Sequence, residues 1–373
     1  MSLSRRELFR TAPVALAAGG LLPRSARGGP EPLIVRMNEP RNLETPLSDL
    51  FSPGTDKFFV RSHFAVPAVD AKGFKLAVGG HVENNLELTL DDLKKMGAVS
   101  RDIVLECAGN GRVFLVPQAR GLQWGHGAVG QAKWTGVPLG AVLERAKVRA
   151  RAGDVVLVGA DQGAIADPAT PGAINFDRGI PLKKATADET LLVWNMNDAP
   201  LTAGHGAPLR ALVGGWYGMA SVKWLTRVAV LDKPHTGFWQ TIDYSVWERP
   251  KDAPPQLAPV TAIQPKAVLT SAGALERVQG KVELAGFAWA GENAVAKVEV
   301  SADGGKTWAA ATLDKSEPFK AARWRLSFAL QPGAHKLLAR ATDDKGATQP
   351  EKRDSDRRTY MINHLVPAEV LVK

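Results

Sequence analysis

Between residues 249 and 260 the chain reads RPKDAPPQLAPV, and the prolines at 250, 254, 255 and 259 divide it into two stretches of different character. So many fixed φ angles and missing backbone donors exclude this stretch from a helix interior or a central strand. Residues 251–259 therefore read as an extended, semi-rigid linker. Ahead of it, short helices alternate with strands. TLDDLKKMG (89–97) predicts a helix with Thr89 as N-cap and Gly97 as its stop, and PLGAVLERAKV (138–148) a second helix opening at Pro138. FKLAVGGHV (74–82), DIVLECA (102–108), GDVVLVGAD (153–161), LLVWNMN (191–197), PLRALVGG (208–215) and SVKWLTRVAVL (221–231) read as strands. Few helices and long connections favour an α+β domain with irregular loops over a doubly wound sheet. Beyond the linker the helical signals stop. Strands there alternate with turns such as ADGGK, and Trp324, Leu326 and Phe328 share one strand face, as in a β-sandwich over 260–373.

With 373 residues, 45% hydrophobic and 23% charged, the chain has enough apolar content for a core in each domain, and wholesale disorder is excluded. The net charge of +9 invites a nucleic-acid reading. Part of it, however, lies in Arg5, Arg6, Arg10, Arg24 and Arg27, opposed there only by Glu7. What remains is a mild excess suited to small anions, and no lysine-rich run or nucleic-acid fold signature accompanies it. The apolar run TAPVALAAGGLL after SRRELFR is too short for a membrane span and suits a signal peptide. With the paired Arg5 and Arg6 it reads as a twin-arginine export signal over 1–29, and so as periplasmic export of a folded protein, often one with its cofactor inserted.

The chain has one cysteine, Cys107. That excludes an internal disulfide, a cysteine-rich zinc site, an iron–sulfur cluster and a c-type haem pair. A lone cysteine is most often a small buried hydrophobe. Here it opens the turn Gly109-Asn110-Gly111, and Arg112 beside it favours a thiolate, either nucleophile or soft metal ligand.

Five blocks occur in order: FFVRSHFAVP (58–67), ECAGNGR (106–112), GLQWGHGAVGQAKWTGVPL (121–139), GHGAPLRALVGGWYGMASVKWL (204–225) and WQTIDYSVWER (239–249). Together they resemble the sulfite oxidase family of molybdenum enzymes, and GFAWAGENAVAKVEVSADGGKTWAAATL resembles that family's immunoglobulin-like dimerisation domain. The resemblance implies a molybdopterin-binding domain over 30–250 and a dimerisation domain over 260–373. It implies Cys107 as the one protein ligand of molybdenum, with a single molybdopterin supplying the other sulfurs. Arg61 and Arg112 would form a cationic pocket with Trp124, and Tyr244 would face the substrate. His63, His205, Arg210 and Lys223 would hold the pterin and its phosphate, with Asp161 a looser match. Ser62 stands where the family commonly has Asn, and Gly204 where it commonly has Asp.

The function implied is oxidation of sulfite to sulfate by oxygen-atom transfer. With no haem motif in this chain, the electrons would pass singly to an external c-type cytochrome, as subunit or transient partner, in a homodimer or a cytochrome heterodimer. Alternatives are a sulfane dehydrogenase of thiosulfate oxidation, a methionine sulfoxide reductase (which usually lacks the second domain), an exported binding protein with a structural cysteine, and a cysteine hydrolase.

Overall fold

The structure, a computed structural model, describes residues 32–52, 54–271 and 280–372. The expected signal over 1–29 lies outside the described residues.

Two five-stranded sheets build the first part of the fold. In the first, the strand order is Leu86–Leu88, Leu76–Gly80, Leu225–Val230, Asp154–Gly163, Ile174–Pro181, with a parallel pairing between Leu76–Gly80 and Leu225–Val230 and antiparallel pairings elsewhere. The second runs Ala199–Pro200, Thr190–Met196, Val129–Pro138, Val99–Glu106, and Arg210–Val213 also pairs with Thr190–Met196. Both sheets bury alternating or continuous Val, Ile and Leu, the residues that suit a pleated, enclosed surface. Helices are few and short. Leu90–Lys94 starts at Thr89, whose side chain and backbone exchange hydrogen bonds with Asp92 in a capping box. Leu139–Ala146 follows Pro138 and turns its buried Leu139, Val142, Leu143 and Ala146 to the core. The α+β expectation holds, with mixed sheets and irregular loops.

Two stretches differ from the sequence reading. The strand expected over 221–231 begins only at Leu225, because Ser221 and Lys223 are drawn into a cavity. Nor is the proline segment an open linker, since Gln256–Pro259 pairs antiparallel with Ser245–Glu248. Proline is compatible with such a strand at its end or on an edge, where no ladder donor is required.

After this hairpin come two four-stranded sheets, Lys266–Leu269, Gly280–Trp289, Ala322–Leu330, Thr312–Leu313 and Ala309–Ala310, Val295–Ser301, Gly333–Asp343, Ala368–Val372. Leu284, Val298, Trp324 and Ala341 lie fully buried between them. This is the all-β immunoglobulin-like part. The strand Val99–Glu106 forms an edge of its sheet, and Phe319 of the sandwich covers it by accepting from the amide of Val104 at 2.8 Å. Cys107 leaves the end of that edge strand.

Candidate active site

The turn after the strand fixes where the thiol and Arg112 lie. The amide of Cys107 donates to Ala128 O at 2.9 Å, that of Asn110 to Cys107 O at 2.9 Å, and that of Arg112 to Gly109 O at 3.1 Å. Gly111 takes φ 96°, a left-handed conformation that glycine adopts without strain. Gly109 serves space instead: a Cβ there would lie 2.3 Å from Arg112 Nη2, and one at Gly121 would lie 2.8 Å from Nη1. The guanidinium thus depends on two side-chain-free positions. Its Nε donates to Thr359 Oγ1 at 2.6 Å, its Nη2 to Thr359 O at 3.1 Å and its Nη1 to Leu122 O at 2.8 Å. The Tyr360 ring lies 5.5 Å from the guanidinium carbon.

Two cavities meet at Cys107. An inner one reaches Asp161, His205, Arg210 and Lys223. An outer one reaches Arg112, Arg120, Asp243, Thr359 and Tyr360. Cys107, Arg61, His63 and Tyr244 line both. The one thiol of the chain therefore sits where a deep slot opens into a mouth.

The inner cavity is cationic. Arg210 is buried and donates to the carbonyls of Ala211, His205 and Ser221 at 3.3, 3.1 and 2.9 Å, and burial pushes its pKa down to about 9. Lys223 Nζ donates to Ser62 Oγ at 2.9 Å and Gly204 O at 2.8 Å; burial, with Arg210 nearby, holds its pKa well below the usual lysine range. Among the described lining residues Asp161 is the one carboxyl, and burial pushes it up to about 6 against the pull of Lys223. His205 Nδ1 lies 2.8 Å from Thr202 Oγ1, while its buried Nε2 has no partner among the described residues. Burial and then Arg210 push the His205 pKa down to about 4, so the ring is neutral at ordinary pH. Desolvated cations and an orphaned ring nitrogen around a slot favour an anionic, hydrogen-bonding occupant.

At the junction, His63 Nε2 and Tyr244 OH are 2.7 Å apart. Burial first, then Arg61, holds His63 well below its usual pKa, and burial raises that of Tyr244, so an imidazole and a phenol share this bond uncharged. His63 stacks on Phe176 at 4.7 Å. Tyr244 follows a single π turn, its amide donating to Trp239 O at 3.1 Å. The fully buried Arg178 pins that turn, donating to Trp239 O at 2.9 Å and Val260 O at 2.6 Å. Arg61 is tied by Nη1 to Asn42 Oδ1 at 3.3 Å and to Ser62 O.

Residues 63–239 match the oxidoreductase molybdopterin binding domain family, and residues 257–366 match the Mo-co oxidoreductase dimerisation domain family. The chain is 33% identical over 350 residues to the sulfite oxidase of Gallus gallus, covering 86% of this chain and 73% of that one. The chain belongs to the sulfite oxidase family. It is also 34% identical over 345 residues to the mitochondrial sulfite oxidase of Homo sapiens, covering 86% of this chain and 62% of the relative. With that of Drosophila melanogaster the identity is 32% over 345 residues, and the chain spans 58% of the relative's length. Among solved structures it is similar to the sulfane dehydrogenase SoxCD from Paracoccus pantotrophus, with a TM-score of 0.75, 26% identity and coverage of 88% of this chain and 84% of that one.

The lining fits the family's molybdopterin. Arg210, Lys223 and the free Nε2 of His205 suit a pterin and its phosphate, and Cys107 at the neck suits a single thiolate ligand. Among the described residues no three His, Cys, Asp or Glu side chains come together in a cluster that could hold a metal ion.

Of the residues singled out from sequence, Cys107, Arg61, His63, Tyr244, His205, Arg210, Lys223 and Asp161 line the inner cavity, and Arg112 the outer one. His63 lines both cavities, and its Nε2 also lies 2.7 Å from Tyr244 OH. Trp124 requires a correction: it lines neither cavity and lies fully buried in one apolar cluster with Phe58, Phe59 and Cys107, its indole Nε1 without a hydrogen-bond partner among the described residues. Ser62 contributes its hydroxyl to Lys223, while the amide at this spot comes from Asn42, whose Oδ1 accepts from the Ser62 amide at 2.8 Å. Sequence reasoning missed Asn42, Arg178, Thr359 and Tyr360. Tyr360, one of three tyrosines, was a composition-level signal; Thr359 gave none.

Proposed function

We propose that this protein oxidises sulfite to sulfate at a molybdenum–molybdopterin centre bound by Cys107, passing the electrons singly to an external c-type cytochrome. The observation that carries it is the junction, where Cys107, Arg61, His63 and Tyr244 line both the slot and the mouth. When bound, the molybdenum centre supplies the oxygen-atom transfer and redox chemistry, by which sulfite and water give sulfate, two protons and two electrons.

The chain's own residues supply recognition. Arg120 is paired with Asp167 at 2.7 Å, and Asp243 accepts from Tyr360 OH at 2.7 Å, which leaves Arg61 and Arg112 as the cations toward a small oxyanion in the mouth. Partial dehydration strengthens that attraction. Tyr244 offers a hydroxyl whose proton is directed by the His63 tautomer: toward Nε2 when that nitrogen accepts, or into the site when Nε2 donates. Arg210 and Lys223 hold an anionic group at the far end of the slot.

The twin-arginine reading of 1–29 places the protein in the periplasm, where a c-type cytochrome is available as subunit or transient partner, with the second domain forming a homodimer or facing that subunit. No helix among the described residues is long and apolar enough to cross a membrane. Reduction of a c-type cytochrome by the purified protein, dependent on sulfite, tests the assignment.

One observation favours a second reading. One solved structure it resembles is a sulfane dehydrogenase, so a sulfur-bound sulfane is the alternative substrate class. Turnover with thiosulfate-derived sulfane and none with sulfite would select it.

A further inference from the structure

The carboxylate before the thiol lines neither cavity, yet it is buried and accepts three side-chain hydrogen bonds. Glu106 is 1% exposed. Its Oε1 accepts from Asn110 Nδ2 at 2.9 Å and from Lys266 Nζ at 3.1 Å, and its Oε2 from Trp289 Nε1 at 2.8 Å. Lys266 Nζ also donates to Asn110 O at 3.1 Å, inside the turn that carries Cys107. Lys266 and Trp289 belong to the second domain, where they are direct cross-strand partners and reach Glu106 from adjacent positions. The amide of Met361 adds a bond to Ala108 O at 2.8 Å. The back of the Cys107 turn is thus built by the sandwich sheet.

A buried ion pair is weak evidence for stability, because desolvation offsets most of its attraction. Its placement here has a different consequence. Groups behind a metal ligand orient it and tune the metal it holds. A carboxylate one residue from the thiol would oppose added electrons, and the ammonium of Lys266 cancels that field.

We propose that Lys266 and Trp289 are positioning residues for Cys107, acting through Glu106, so that the second domain sets both the placement of the thiolate and the charge felt by the metal. This rests on the molybdopterin reading of the site. It gives the second domain a role in the catalytic centre that pairing of subunits does not require.

The test compares holoenzyme with Glu106→Gln, Lys266→Met, the two combined, and Trp289→Phe. Each is measured for molybdenum per chain and, by EPR-monitored redox titration, for the midpoint potential and signal shape of pentavalent molybdenum. Lys266→Met is expected to lower the potential, Glu106→Gln to raise it, and the combined variant to return toward wild type. Trp289→Phe, which removes one donor from the carboxylate, should lower it by less and alter the signal shape. Opposite signs distinguish this role from simple attachment of one domain to the other. Metal-loaded variants with wild-type potentials and spectra would overturn the inference alone. If Lys266→Met fails to fold, Glu106→Gln and Trp289→Phe still decide it. Wild-type protein without molybdenum would overturn the cofactor reading, and this inference with it.

Discussion

His63 and Tyr244, 181 residues apart in the chain, meet at 2.7 Å where the inner slot opens into the mouth. The bond joins two uncharged rings, because burial depresses the one pKa and raises the other. A hydroxyl so held is a directed proton carrier. Tyr244→Phe should lower kcat by about 10²-fold, the scale of losing one positioned proton-transfer group, with molybdenum content unchanged. Loss of metal, or a rate within a factor of two of wild type, would remove Tyr244 from the chemistry.

Arg112 owes its place to the absence of a neighbouring side chain. Gly109→Ala puts a methyl 2.3 Å from Nη2, and the guanidinium must move. A charge-assisted hydrogen bond contributes about 1.5–3 kcal/mol, so KM for sulfite is expected to rise by about 10- to 100-fold. Steady-state kinetics on metal-loaded protein check this; a fall in kcat at unchanged KM would contradict it.

Much of this was legible in sequence, for physical reasons. Cys107, Arg112, Arg210 and Lys223 sit in contiguous blocks whose glycines and prolines force local loops, so each block carries its own geometry. Strand alternation and the Thr89 cap are equally local. What was not legible is long-range. Thr359 reaches Arg112 across 247 residues, Lys266 reaches Glu106 across 160, and no periodicity encodes either meeting. Trp124 misled because a tryptophan in a pocket motif is equally able to pack into the apolar cluster beside the pocket. The proline segment misled because its hairpin partner, Ser245–Glu248, lies outside it.

Acid should destabilise the protein prepared without cofactor. His205 and His126 titrate in the fold at about 4 and about 3, and His63 also lies well below its ordinary value, with burial the leading cause in all three. As pH falls below about 6.5 the unfolded chain takes up protons there that the fold refuses, so stability falls at about 1.4 kcal/mol per pH unit for each histidine. Asp161, raised to about 6, works the other way between about pH 6 and 4, because there the fold holds a proton that the unfolded chain has released. The net loss is roughly 3 kcal/mol per pH unit near pH 5. Urea unfolding at pH 7 and pH 5 measures it, and His205→Gln should flatten the slope. An unchanged midpoint would contradict the burial of these rings.

Trp124→Ala should act through packing. The side chain is fully buried in the apolar cluster that includes Cys107, so its loss is expected to cost about 3–5 kcal/mol of stability. Thermal unfolding reads this. Full stability with abolished turnover would instead return Trp124 to the substrate pocket.

Cys107, at the junction of the two cavities, is the proposed protein ligand of a molybdenum centre. The most direct test is molybdenum per chain in protein from a strain that makes molybdopterin, with EPR on the same sample before and after sulfite. One molybdenum per chain, a sulfite-induced signal from pentavalent molybdenum, and loss of both in Cys107→Ser is the expected result. Wild-type protein without molybdenum, or a metal content unaffected by Cys107→Ser, would contradict it.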